Sequence, residues 1–201
     1  LSICKEVVSL VPNESIVYLA DSKHAPYGQR SKEEIIQLSK KNTTLLLEKG
    51  CKLVIVACNT ATTNAIRTLR KEYTVPFIGI EPAIKPAALN SKTNKIGILA
   101  TKGTLNSELF AQTSEQYRGE LEIIEVEGKG LVPLIEQGNI EQTRNLLAGY
   151  LATMIDAGVD KIVLGCSHYP FLEPVIRSLI PSTIDIIDSG EAVARLSLIH
   201  I

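Results

Sequence analysis

The chain has 201 residues, 45% of them hydrophobic but only 4% aromatic, with a formal net charge of -1. That is enough for one large domain or two small ones, with a core of Ile, Leu, Val and Ala. Near-neutral charge with no long basic run argues against electrostatic nucleic-acid binding, and no apolar segment approaches the roughly 20 residues that span a bilayer.

Four cysteines occur, at positions 4, 51, 58 and 166, none in a Cys-x-x-Cys pair. With no basic-then-apolar leader at Leu1-Ser-Ile-Cys-Lys-Glu, a disulfide framework is not expected and a cytoplasmic setting is. Cys4 and Cys51 read as small buried apolar residues.

In chain order, residues 2–10 form a helix with Ile3, Val7 and Leu10 on one face, and Ser15–Ala20 reads as an apolar strand. The polar loop Asp21–Gly28 follows, where Asp21 is expected to satisfy turn amides and His24 to be solvated. Ser31-Lys-Glu-Glu34 is a capping box that opens a helix to about Lys49, with Ile35, Leu38, Leu45 and Leu46 inward and Gly50 as its stop. Lys52–Thr60 is a β-branched run ending Cys58-Asn59-Thr60, then a helix to Tyr73, a short strand Pro76–Ile80, and a turn or helix at Glu81-Pro82, where Glu81 reads as a helix-start charge. Asn90–Asn94 is the crossover between halves.

The alternation then repeats. Lys95–Ala100 is a strand, Thr101–Thr104 a loop, Leu105–Tyr117 a helix and Leu121–Val126 a strand. Leu131–Glu136 is a short helix, and Asn139 caps a long one to Ala157, with Gly158 as its stop. Lys161–Gly165 is a second buried strand, ending Cys166-Ser167-His168. A helix from Pro170 to Ile180 and a strand from Thr183 to Asp188 complete the pattern. A last helix begins near Gly190; Leu196–Ile201 looks like a translated adapter remnant and is given no weight in the fold.

Strand–helix alternation implies α/β architecture with parallel sheets. Ligands of such sheets bind beyond the carboxyl ends of strands, so Cys58 and Cys166 stand where a ligand can begin. Two thiols on opposite sides of one carbon can invert it, one removing a proton as thiolate and the other returning one. Both cysteines precede helices, whose amides lower a thiol's pKa and bind a carboxylate. A zinc site from Cys58, Cys166 and His168 is the rival chemistry. The neighbouring Asn59, Thr60 and Ser167 suit carboxylate binding better.

Three segments carry a resemblance: Lys23–Gly28 (KHAPYG), Ala57–Ala61 (ACNTA) and Leu164–Pro170 (LGCSHYP). In order and over nearly the whole chain, they resemble the hallmark segments of the bacterial glutamate racemases, within the aspartate/glutamate racemase superfamily. The resemblance implies two similar Rossmann-like or flavodoxin-like α/β domains, residues 1–91 completed by 189–201 and residues 92–188, with the active site in the cleft between them. It implies a cofactor-independent, two-base enzyme, a homodimer, interconverting L- and D-glutamate for peptidoglycan. It makes Cys58 and Cys166 the alternating bases, His168 and Glu136 their helpers, and Pro26, Tyr27, Gly28, Asn59, Thr60, Thr101, Thr104, Ser167 and His168 substrate contacts. No metal is implied.

The family also has an opening strand before the first residue matched here and further elements after Arg195, so this stretch alone is expected to be weakly active or inactive. Ser167 stands where Thr is usual and keeps the hydroxyl. An aspartate or hydantoin racemase, or a non-catalytic binding or regulatory protein on the same fold, are the alternatives.

Overall fold

The computed structural model describes residues 1–200. Helix α1 (Ser2–Leu10) packs Ile3 and Val7 inward, whereas Leu10 is exposed. Helix α2 (Lys32–Glu48) starts at the expected capping box, with the Ser31 and Glu34 side chains each bonding the other's backbone N–H. It ends at Gly50, whose φ of +78° is the left-handed conformation glycine adopts without strain. Its inner face is narrower than expected: Ile35, Ser39 and Thr43 are buried, but Leu45 is exposed.

Strand β1 (Val54–Val56) runs parallel to β2 (Phe77–Gly79), joined by α3 (Asn59–Glu72). Thr62 on α3 is completely buried beneath this pair. Its hydroxyl donates to the Val56 carbonyl at 2.9 Å and accepts the Ile80 N–H at 3.1 Å, tying helix to both strands. After α4 (Ile84–Asn90), the second half holds β3 (Lys95–Ala100), α5 (Lys102–Leu105), α6 (Glu108–Glu115), β4 (Glu122–Glu127), α7 (Leu131–Glu136), α8 (Ile140–Asp156), β5 (Lys161–Gly165), α9 (Glu173–Arg177) and β6 (Asp185–Ile187). Its four strands are all parallel, in the order β4-β3-β5-β6. Every residue of β5 is buried, as its continuous apolar run requires.

Three expectations fail in the first half. Ser15–Ala20 is not a strand: its backbone makes no hydrogen bond to any described residue, and Ile16, Val17, Tyr18 and Leu19 are 40–52% exposed. A strand needs a ladder, and among the described residues the one neighbour of β1 is β2. For the same reason β1 is only three residues long and half-buried rather than sandwiched on both edges. Cys4 and Cys51 are partly exposed rather than buried, because they border the opening left beside β1.

Two helices are also shorter than expected. The Leu105–Tyr117 stretch divides into α5 and α6 at Ser107, which caps α6 by accepting the Phe110 N–H at 3.2 Å. The Pro170–Ile180 stretch is a 3-10 turn at Tyr169–Leu172 followed by α9, since prolines at 170 and 174 remove helix donors. Conversely, α10 (Gly190–His200) runs straight through the supposed remnant, with Ser197 fully buried. It returns to the first half, where Val193 and Ala194 join Ile3, Val7, Ile78 and Ile80 in one apolar cluster.

Candidate active site

The carboxyl ends of β1, β3, β4 and β5 open onto one cavity of about 1120 Å³, lined there by Cys58, Thr101, Glu127 and Cys166. Pro26, Tyr27, Gly28, Asn59, Thr60, Glu136, Ser167 and His168 line it too. The chain therefore brings the sequence-predicted residues to one place, with Thr104 set apart. Thr104 is fully buried and does not line the cavity. It stands behind the wall, its hydroxyl 3.3 Å from that of Thr60 and 3.1 Å from that of Thr101, which are themselves 2.8 Å apart. This triangle joins the start of α3 to the start of α5. Asn64 reinforces it, donating from Nδ2 to the carbonyls of Thr60 and Gly103.

Cys58 occupies the N-cap position of α3, in extended conformation, with the helix's first free amides beside its sulfur. Asn59 is 2% exposed, and both its Nδ2 and its Oδ1 lack any partner among the described residues. A buried carboxamide with neither end satisfied is costly, about 1–3 kcal/mol per group. Its place on the cavity wall makes it a ready donor and acceptor for a bound ligand.

Cys166 ends β5. Its sulfur is 3.8 Å from His168 Nδ1, and His168 Nε2 is 2.8 Å from Glu136 Oε1 at the end of α7. Carboxylate, imidazole and thiol thus form a chain in which a proton can move off sulfur onto a ring already held by an anion.

Helix-start amides were expected to leave these thiols acidic. The structure shows the opposite balance. Burial pushes Cys166 up to about 12, outweighing the His168 and Tyr169 amides that pull it down, and the nearby Cys58 adds to the rise. Burial also raises Cys58, against the Ala61 and Thr60 amides and the Thr60 hydroxyl. At neutral pH both sulfurs rest as thiols, one partly open to the cavity and one buried. Both cysteines line the same cavity. Among the described residues no group of three or more His, Cys, Asp or Glu side chains is disposed to hold a metal ion.

Three residues grouped at Tyr27 carried no functional expectation. Asp21, expected to satisfy turn amides, instead accepts from the Tyr27 hydroxyl at 2.5 Å, and Asn42 on α2 reaches both groups. His24, expected to be solvated, is held at 2.6 Å from the same carboxylate. No sequence spacing signals the Asn42 contact, since it depends on how α2 lies against the loop.

The profile for Asp/Glu/hydantoin racemases matches residues 1–197. The chain belongs to that family. It is 44% identical over 197 residues to the glutamate racemase of Herpetosiphon aurantiacus, covering 97% of this chain and 78% of that one. It is 45% identical to the glutamate racemase of Ralstonia pickettii, covering 97% and 70%. Among solved structures, the Escherichia coli glutamate racemase in complex with L-glutamate and the activator UDP-MurNAc-ala superposes with a TM-score of 0.91 at 29% identity, covering 99% of this chain and 77% of that one. The family membership makes the chain a racemase, and the parallel α/β architecture is the one its solved relatives share. No helix among the described residues is long and apolar enough to cross a membrane.

Proposed function

We propose that this chain is a glutamate racemase, interconverting L- and D-glutamate without a cofactor through Cys58 and Cys166. The observation that carries this reading is the pair of thiols at the ends of β1 and β5, both lining one cavity. The glutamate racemases it matches, one of them bound to L-glutamate, favour glutamate over aspartate or a hydantoin. In this reading residues 1–91 with 189–201 carry one thiol and residues 92–188 the other. The enzyme works in the cytoplasm as a homodimer and supplies D-glutamate for peptidoglycan.

The substrate α-carbon lies between the sulfurs. Asn59, with both ends of its amide free, and the amides opening α3 bind the α-carboxylate and ammonium. Tyr27, Gly28, Thr60, Thr101 and Ser167 complete the wall, and Thr104 acts through Thr60 and Thr101. One sulfur, as thiolate, takes the α-proton; the other, as thiol, delivers its proton to the opposite face. The electron pair left on carbon closes the new C–H bond, so the configuration inverts and the sulfurs exchange protonation states. On the Cys166 side, His168 holds the thiol proton and Glu136 stabilises the resulting imidazolium.

Incubation with L-glutamate, L-aspartate and a hydantoin in D2O tests this. D-Glutamate should form with deuterium at the α-carbon, and Cys58→Ser and Cys166→Ser should each lose at least about 100-fold, the lower end of what a positioned base contributes. Full turnover in either serine variant sinks the two-base reading, and faster turnover of aspartate or a hydantoin moves the substrate.

A further inference from the structure

Asp21, Asn42 and Tyr27 line the cavity that also holds Cys58 and bond one another, and His24 bonds Asp21. Burial pushes the Asp21 carboxyl up, but bonds from Tyr27, His24 and Asn42 outweigh it and bring the group down to about 2. An ionised carboxylate has no proton to donate. The single phenolic proton of Tyr27 is therefore committed to Asp21 Oδ2, at 2.5 Å. Asn42 Nδ2 donates to the phenolic oxygen at 3.2 Å and reaches the same carboxylate oxygen at 3.3 Å. Asp21 Oδ1 is engaged by His24 Nδ1 at 2.6 Å, and the His24 carbonyl accepts from Arg30 Nε at 2.7 Å. The ring of Tyr27 is thus fixed from α2 on one side and from its own loop on the other.

The next residue along the chain gives this anchorage a consequence. Gly28 lies against the second half, where a Cβ on it would meet Thr101 Cβ at 3.0 Å. A Cβ on Gly103 would meet the Gly28 carbonyl at 3.1 Å and Thr60 Cγ2 at 2.8 Å. The turn that starts at Tyr27 therefore sits directly on the seam closed by the Thr60, Thr101 and Thr104 hydroxyls. Turning Tyr27 out of its pocket drags Gly28 off Thr101 and widens the substrate space next to Cys58.

We infer that Asp21 and Asn42 are positioning residues: through the Tyr27 hydroxyl they hold the Pro26–Gly28 turn as a fixed wall of the substrate site. The inference rests on the racemase reading for its kinetic consequence only. Neither residue touches the reacting carbon, so the loss falls on KM rather than kcat.

The experiment is a double-mutant cycle on the full chain with two readouts. In racemisation assays, Asp21→Ala should raise the glutamate KM about tenfold with kcat changed less than threefold. Asp21→Asn, whose amide oxygen still accepts the phenolic proton, should recover most of that loss, and Asn42→Ala should raise KM about threefold. Tyr27→Phe should match Asp21→Ala, and the Tyr27→Phe/Asp21→Ala double variant should be no worse than either. The second readout needs no activity: alkaline titration followed by NMR of tyrosine labelled at Cζ, with the Tyr27 signal assigned by its loss in Tyr27→Phe. Burial and Asp21 raise the Tyr27 hydroxyl well above the usual tyrosine range, so Asp21→Ala should let it ionise at least one pH unit earlier.

An unmoved Tyr27 titration, additive KM losses, or a loss confined to kcat each overturns the positioning role. In a chain that racemises nothing, the Tyr27 titration alone decides the positioning role, since that readout needs no activity.

Discussion

Replacing His168 with Asn removes the imidazole between Cys166 and Glu136 while leaving an amide near the position of Nδ1. With Cys166 pushed up to about 12, forming its thiolate at pH 8 costs about 5 kcal/mol, at 1.36 kcal/mol per pH unit. An imidazolium 3.8 Å from the sulfur returns about 4 kcal/mol at an effective dielectric of about 20. His168 is 34% exposed at its side chain, and solvent screening reduces this to about 2 kcal/mol. His168→Asn should therefore slow proton abstraction by Cys166 about 30-fold.

Enantiomers have equal free energy, so kcat/KM must fall equally in the two directions. The asymmetry shows elsewhere: the primary isotope effect with α-deuterated substrate should rise for the one enantiomer that Cys166 deprotonates. Iodoacetamide should correspondingly alkylate Cys166 more slowly, with Cys58 unchanged. Equal isotope effects for both enantiomers, or unaltered Cys166 alkylation, would refute the assignment of His168 to that sulfur.

Thr62→Val removes the hydroxyl that donates to the Val56 carbonyl and accepts the Ile80 N–H; those two groups keep their own 3.4 Å bond, so two hydrogen bonds are lost, at about 0.5–1.5 kcal/mol each, with no orphaned group. Urea denaturation should show a loss of about 1–3 kcal/mol, and a loss below about 0.5 kcal/mol would contradict the role given to this hydroxyl. Asp160 accepts from the Ser91 hydroxyl and the Lys92 amide at 2.6 Å each; burial raises its pKa, but these bonds and Lys161 bring it below the usual carboxylate range. Its folded pKa is depressed, so its stabilisation is complete above the unfolded value of about 3.9 and is lost as pH falls through the folded one. Asp160→Asn should flatten the acid limb of a stability-versus-pH curve and leave its slope above pH 5 unchanged. Gly103→Ala puts a methyl against Thr60 and the Gly28 carbonyl; the glutamate KM should rise severalfold, with the melting temperature moved by only a few degrees.

The sequence by itself determined whatever depends on neighbours along the chain. The Ser31–Glu34 capping box, the Gly50 stop, the Asn139 cap and the buried run of β5 all needed only local donors, a left-handed glycine or continuous apolarity, and all formed where expected. The cysteine-bearing strand ends were legible for the same reason, since each motif is contiguous.

Tertiary structure decided what depends on a distant partner. Ser15–Ala20 has the composition of a strand but joins no ladder among the described residues, and its apolar side chains stay half-exposed. The acidity of the thiols followed from burial, which outweighed the helix amides the sequence could reveal. Thr104 moved behind the wall, and Asp21 and Asn42 met at Tyr27, because α2, α3 and α5 converge there. Local chemistry is written in adjacent residues; electrostatics and side-chain partnership are set by what folding brings within a few ångströms.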